Sequence, residues 1–145
     1  MKAVLQRVTS ARVSVDGKTV SEIQLGLLIL LGIQPADDEE KVLALARKCA
    51  QLRIFADSQG KMNLSVLEAS GSALVVSQFT LLADTRKGNR PSFTDAAPHA
   101  QAQALVEVFC RALLKLGVPT SQGVFGAHMQ VELCNDGPVT ILLQA

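Results

Sequence analysis

Leu74-Val75-Val76-Ser77-Gln78-Phe79-Thr80-Leu81-Leu82 decides how the rest of the chain is read. It opens with apolar residues in series, as a strand buried on both faces does, and then sets two hydroxyls and a carboxamide among apolar neighbours. A buried hydroxyl or amide left without a partner costs about 1–3 kcal/mol, so Ser77, Gln78 and Thr80 either hydrogen-bond inside or face a cavity. Strand alternation turns Gln78 and Thr80 to one side and Ser77, Phe79 and Leu81 to the other. Two readings follow: a strand end whose polar groups satisfy neighbouring backbone, or the polar wall of a pocket.

Upstream, Val4 to Val15 alternates loosely and runs into Asp16-Gly17, a hairpin signal, before Thr19 to Ile23. Arg7 interrupts the first strand, either as a solvated charge or as a clamp that holds a loop through its forked donors. Leu25 to Ile33 reads as a third, more buried strand. Asp37 and Glu40 then resemble a capping box, and Val42, Leu45, Ala46, Cys49 and Leu52 follow at helical spacing. Ile54 to Ala56 and Met62 to Val66 read as short strands on either side of the turn Asp57-Ser58-Gln59-Gly60.

Downstream, Asp84 to Phe93 holds the one local cluster of positive charge, with Arg86, Lys87 and Arg90 around Gly88. It is read as a solvated surface loop or as a phosphate-binding one. Between Pro98 and Gly117, the residues Leu105, Val108, Phe109, Ala112, Leu113 and Leu116 make the stripe of a second helix. His99 near its start and His128 at a strand start sit beside no evident nucleophile or metal-ligand partner and read as surface or structural. Gly123-Val124-Phe125-Gly126-Ala127 sets small residues beside an aromatic, which lets a flat group approach the backbone. Met129, Val131 and Leu133 alternate with polar neighbours. That strand leads through Asn135-Asp136-Gly137-Pro138-Val139-Thr140 to a last strand, Ile141 to Leu143, and a Gly-Pro pair between strands normally marks a tight turn.

The expected architecture is an α/β domain over residues 1–145, with mixed, largely antiparallel sheets in two layers and two principal helices packed on one face. A chain of 145 residues buries about 68–70% of its unfolded surface, enough for a real core. Two helices cannot cover every sheet face of a chain that is 48% hydrophobic, so burial by a second subunit is expected. Fourteen Lys and Arg against thirteen Asp and Glu leave a net charge of +1. A protein that tracks a long phosphate backbone carries a larger basic excess, so any nucleic-acid contact is expected to be short. The absence of Trp and Tyr argues against broad stacking platforms. No signal-peptide pattern opens the chain and Leu25–Ile33 is too short to span a bilayer, so a cytoplasmic protein is expected. Cys49, Cys110 and Cys134 read as three buried thiols, not as a metal site or disulfide framework.

Ser77-Gln78-Phe79-Thr80-Leu81 and Asn135-Asp136-Gly137-Pro138-Val139-Thr140, in this order in so short a chain, resemble the D-aminoacyl-tRNA deacylases. The likeness runs over essentially the whole length, through Gln6-Arg7-Val8, Lys61-Met62-Asn63-Leu64 and Arg90-Pro91-Ser92-Phe93. It implies that family's fold and a homodimeric hydrolase that cleaves a D-amino acid, or glycine mischarged on tRNA for alanine, from the tRNA 3′ end. It also implies a cis Gly137-Pro138 bond in a loop that reaches into the partner's site, where its backbone fills the space of an L side chain. Such editing selects by fit, applied to handedness.

By the same resemblance Ser77, Gln78, Phe79 and Thr80 form the catalytic segment, Phe125, Ala127 and Met129 hold the terminal adenosine, and Arg7 steadies the cross-subunit loop. Thr80 is the obvious candidate nucleophile by residue type, yet no His, Lys or carboxylate is evidently placed to take its proton. The resemblance points instead to the ribose 2′-hydroxyl of the substrate. Neither membrane nor DNA is an expected partner, no metal or organic cofactor is suggested, and Arg86, Lys87 and Arg90 are placed to steer an acceptor stem. Two other readings stay open: a Thr80-nucleophile hydrolase of small esters or amides, and a non-catalytic module that binds RNA or DNA ends.

Overall fold

The computed structural model describes residues 1–145. Its frame is β1 (Lys2–Val15), which pairs along both edges. On one edge its first half meets β3 (Gly26–Gly32) and its second half meets β2 (Lys18–Ile23), both antiparallel. Along the other edge runs β8 (Gln130–Gln144), antiparallel from Lys2 to Ser14. Beyond β3 lie β6 (Ser72–Ser77) and β7 (Thr120–Gln122), both parallel to their neighbours, so the sheet is mixed and largely antiparallel. A small second sheet joins β4 (Phe55–Ala56) to β5 (Met62–Leu64). β7 had no counterpart in the sequence reading, because Thr-Ser-Gln carries no strand pattern.

β3 and β6 read as unbroken apolar runs because both their faces are buried. Leu27, Ile29, Leu31, Ala73 and Val75 face a core shared with α1 (Glu39–Gln51) and α2 (His99–Lys115). Leu28, Leu74 and Val76 face a second core made with Val8, Ala11 and Val13 of β1 and Ile23 of β2. β1 can serve both because its pairing with β8 slips between Gln6 and Ser10. Before the slip Ala3 and Leu5 face the helices, and after it Ala11 and Val13 face the other core. A bulge is the ordinary means of making such an exchange. The α/β architecture with both helices on one face matches the expectation.

Four local readings need correction. The helix N-cap is Asp38, whose carboxylate accepts from the Lys41 backbone N–H at 2.9 Å. Asp37 is instead buried, accepting from the Met1 amine at 2.8 Å and from the Gln34 backbone N–H at 2.7 Å. On α2 the core face is carried by Val106, Phe109, Cys110, Ala112 and Leu113, with Leu105, Val108 and Leu116 at its margin. The expected Gly-Pro turn between two strands is not a turn. β8 continues through it along β1, and residues 136–139 are pushed out of the ladder. Cys134 is exposed, because β8 is a sheet edge whose outer side this chain leaves uncovered. No helix is long and apolar enough to cross a membrane.

The Met1 amine also donates to the Ala145 carbonyl at 2.9 Å, so one buried ion pair joins the start of β1, the approach to α1 and the end of β8. Asp37→Ala would leave that amine buried and uncompensated, and the expected cost is about 3–5 kcal/mol by urea unfolding. A loss below about 1 kcal/mol would contradict this account. Burial pushes the Cys49 thiol up to about 12 and the Cys110 thiol up to about 11. The thiolate is the reactive form, so both should resist maleimide at neutral pH in the folded protein and react once it is unfolded. Mass-mapped labelling of either in the native state at a free-thiol rate would overturn that expectation.

Candidate functional site

The polar end of β6 forms one wall of a cleft of about 560 Å³. β6 stops at Ser77, and Gln78 takes a bent backbone (φ −144°, ψ 81°) that leads into a 3-10 turn, Phe79–Leu82. The bend replaces strand alternation, so Ser77, Gln78 and Phe79 all line the same cleft. Gly32 permits it: a Cβ there would stand 2.9 Å from the Gln78 carbonyl oxygen, closer than carbon and oxygen tolerate. The Gln78 backbone N–H donates to the Leu31 carbonyl at 2.8 Å and fixes the bend to β3. A 3-10 turn leaves the N–H groups of its first residues without partners inside the turn, here at Phe79 and Thr80.

Thr80 lies at the exposed rim and does not line the cleft. Its Oγ1 accepts from the Gln78 side-chain amide, so the two side chains do meet, through the turn and not through a shared strand face. No basic or acidic side chain hydrogen-bonds to the Thr80 hydroxyl.

The opposite wall is the segment Phe125–Met129, with Phe125, Ala127 and Met129 all lining the cleft and Leu31, Ile33, Val76 and Val106 forming its floor. Two residues read as surface or structural belong here as well. His99, at the first position of α2, meets the Phe125 ring edge-on at 4.8 Å, and His128 joins the lining. Nothing in the spacing from 99 to 125 could have joined them; only the return of the chain through β7 brings the helix start to that aromatic. The lining contains no Asp, Glu, Lys or Arg. No three or more His, Cys, Asp or Glu side chains cluster in a way that could hold a metal ion.

Gly137, Pro138 and Arg7 lie apart from this cleft. Between Gln6 and Val8, two steps of β1 face five steps of β8, Thr140 back to Asn135, and the surplus forms a projecting loop. The Gly137-Pro138 bond is cis, and both residues are exposed. Gly137 has φ +146°, where a Cβ would come within 2.6 Å of Val139 Cγ2 and 3.3 Å of an Arg7 guanidinium nitrogen. Arg7, only 9% exposed, braces the loop from beneath. Its Nε donates to the Asp136 carbonyl at 2.9 Å and lies 3.1 Å from the Asp136 carboxylate, while an Nη donates to the Ile54 carbonyl. Of the two readings given for Arg7, the clamp is therefore the one observed.

Asn135, quoted in the motif but given no role, closes the loop. Its side-chain oxygen accepts from the Val139 N–H at 2.8 Å and its amide donates to the Val139 carbonyl at 3.1 Å. The side chain thus takes the place of a neighbouring strand.

The sequence model of the family described as D-Tyr-tRNA(Tyr) deacylase matches residues 4–144. Two proteins named D-aminoacyl-tRNA deacylase are similar over nearly their whole lengths. That of Thermomicrobium roseum is 57% identical over 100% of this chain and 94% of its own, and that of Deinococcus radiodurans 54% identical over 99% of each. Among solved structures, one described as c-Myc DNA Unwinding Element Binding Protein superposes with a TM-score of 0.95 at 44% identity, covering 100% of this chain and 99% of that one. Another, described as "a probable eukaryotic D-amino acid tRNA deacylase", has a TM-score of 0.84 at 17% identity over 98% and 97%, a likeness of fold.

Asn135→Ala removes both bonds to Val139, with an expected loss of about 1–3 kcal/mol. Arg7→Lys keeps the charge but cannot reach the Ile54 and Asp136 carbonyls together, and should cost a similar amount. Limited proteolysis between Asn135 and Val139 should quicken in both variants. A wild-type cleavage pattern with wild-type stability would show that the loop stands without its brace.

Proposed function

The chain belongs to the D-Tyr-tRNA(Tyr) deacylase family, and from that premise we propose that it is a chiral proofreading hydrolase, one domain over residues 1–145 acting on D-aminoacyl-tRNA in the cytoplasm. The observation that carries the reading is the meeting of Ser77-Gln78-Phe79 with Phe125, Ala127 and Met129 across one cleft, in a chain 57% identical over its full length to a D-aminoacyl-tRNA deacylase. A cleft of about 560 Å³ is of the size that takes a small ligand, here the aminoacyl group and the terminal adenosine. The adenine lies against Phe125, Ala127 and Met129, and the ester sits at the end of β6.

Ester hydrolysis develops negative charge on the carbonyl oxygen, and the N–H groups that open the 3-10 turn at Phe79 and Thr80 are suited to receive it. The attacking oxygen still needs a base. The lining holds no carboxylate, Lys or Arg, its ionisable side chains are the imidazoles of His99 and His128, and the Thr80 hydroxyl has no basic partner. It is the family resemblance that assigns the activation of water to the ribose 2′-hydroxyl of the substrate. Ser77, Gln78, Phe79 and Thr80 then hold and orient.

Handedness is read by a second copy. Gly137 and Pro138 project from β8 without lining their own cleft, and Leu142 on the same strand is 75% exposed, a surface that a partner subunit covers. In the homodimer each loop enters the partner's cleft, and its backbone occupies the space that an L side chain requires. Glycine has no side chain to exclude, so glycine mischarged on tRNA for alanine is a substrate too. A net charge of +1 agrees with a partner grasped at its 3′ end and argues against a duplex DNA tracker.

Purified protein should hydrolyse D-tyrosyl-tRNA more than about a hundredfold faster than the L ester, a difference of about 2.7 kcal/mol in barrier. Thr80→Ala should keep the D activity within about tenfold. A terminal 2′-deoxyadenosine should slow the reaction about 10²–10⁴-fold, the usual contribution of a positioned base. Equal loss of both esters would remove the proofreading reading. Abolition by Thr80→Ala would favour a Thr80 nucleophile, and binding without turnover would favour a non-catalytic module.

A further inference from the structure

The loop that follows the 3-10 turn carries Arg86, Lys87 and Arg90 around Gly88. Asp84 and Ser92 exchange backbone hydrogen bonds of 2.8 and 2.9 Å, which closes its neck. Within it, Arg86 is occupied: its Nε and Nη2 donate to the Asp84 carboxylate at 2.9 and 2.7 Å, and its backbone N–H donates at 3.0 Å. Those bonds hold Asp84 well below the usual carboxylate range, so the pair is intact at neutral pH. Lys87 and Arg90 are exposed and, like most Lys and Arg of the chain, make no ion pair, so within this loop only Arg86 has its charge matched by a carboxylate. In a chain of net charge +1, this is a local concentration of uncompensated charge.

Its position matters as much as its sign. Phe93, just past the neck, packs edge-on against Phe79 with centroids 5.0 Å apart, and Phe79 lines the cleft next to Gln78. The loop is thereby joined to the wall where the ester is held. An RNA whose last nucleotide lies in the cleft must carry its preceding phosphates out across a rim, and the loop that bears Lys87 and Arg90 is anchored to the cleft wall through Phe93 on Phe79.

We propose that the loop Asp84–Ser92 is the seat of the acceptor-end phosphates, with Lys87 and Arg90 as the contacting cations and Arg86 as an internal brace. This narrows the three-cation reading of the sequence to two, and it rests on the deacylase reading of the cleft.

The test compares two substrates for the wild type and Lys87→Ala/Arg90→Ala. D-tyrosyl-tRNA carries the phosphates; D-tyrosyl-adenosine presents the same ester without them. For the tRNA ester at 50 mM salt, the variant's KM should rise about tenfold with kcat unchanged, and its log KM should depend on log salt less steeply by about 1–2. For the adenosine ester both parameters should stay at wild-type values. Unchanged KM and salt slope on the tRNA, or equal loss on both substrates, would overturn the seat while leaving the deacylase intact. A wild type that cleaves neither ester would overturn the deacylase reading itself, and the seat with it.

Discussion

Every part of the sheet depends on β1 having its backbone hydrogen bonds claimed along both edges. β3 and then β2 take one edge in succession, and β8 takes the other for nearly the whole length. A strand so used cannot slip, because moving its register by one residue would turn Leu5 or Val13 out of its core and misalign three partners together. The slip that does exist, between Gln6 and Ser10, is therefore a fixed feature. It lets one strand serve two cores and makes room on β8 for the surplus that projects as Gly137-Pro138.

That economy explains why a cation is buried at Arg7. Where two steps of β1 face five of β8, the ladder cannot satisfy every main-chain group and the Asp136 carbonyl is left to seek a donor, while the Ile54 carbonyl, from the segment after α1, presents a second acceptor to the same guanidinium. A guanidinium offers several donors in one rigid plane and keeps its charge when dehydrated. With the Asp136 carboxylate beside it, the charge is balanced as well as hydrogen-bonded, the condition under which burial of an ion is tolerated. The side chain that shapes the projecting loop thus belongs to the strand the loop interrupts. Asn135 completes the shape from within β8.

Much of this was legible in the sequence where pattern and physics coincide. The apolar runs of β3 and β6, the Asp16-Gly17 hairpin and the stripe of α1 each follow from periodicity and turn chemistry. Other features were hidden because they depend on contacts remote in sequence. Asp37 looked like a cap until the Met1 amine, 36 residues away, claimed it and passed the capping to Asp38. The 3-10 turn after Ser77 breaks the alternation that an apolar run implies, and the reason is the close approach to Gly32 on a neighbouring strand. His99 enters the cleft only because the chain returns through β7. In the same way, residues 135–140 read as a turn because Gly-Pro ordinarily ends a strand, whereas β1 holds both halves of β8 in one line. The family resemblance, not periodicity, drew attention to Gly137 and Pro138.

The cleft and its surroundings divide chemical labour in an uncommon way for a hydrolase. Its lining has two imidazoles and no other ionisable side chain, and fixed charges stand outside it, Lys2 on the Leu81 carbonyl of the 3-10 turn and Arg86, Lys87 and Arg90 on the loop joined through Phe79 and Phe93. An apolar lining strengthens each hydrogen bond made within it. In the mechanism proposed, the substrate brings the reactive hydroxyl and the site confines its own part to donors and shape. On the proposed reading, the residues that decide the reaction are then backbone groups: N–H at Phe79 and Thr80, and the Gly137-Pro138 segment of a partner. Side-chain substitution cannot remove these directly. It can only disturb what holds them, namely Gly32 behind the first and Arg7 with Asn135 behind the second, and it is there that the chain's tolerance to change should be narrowest.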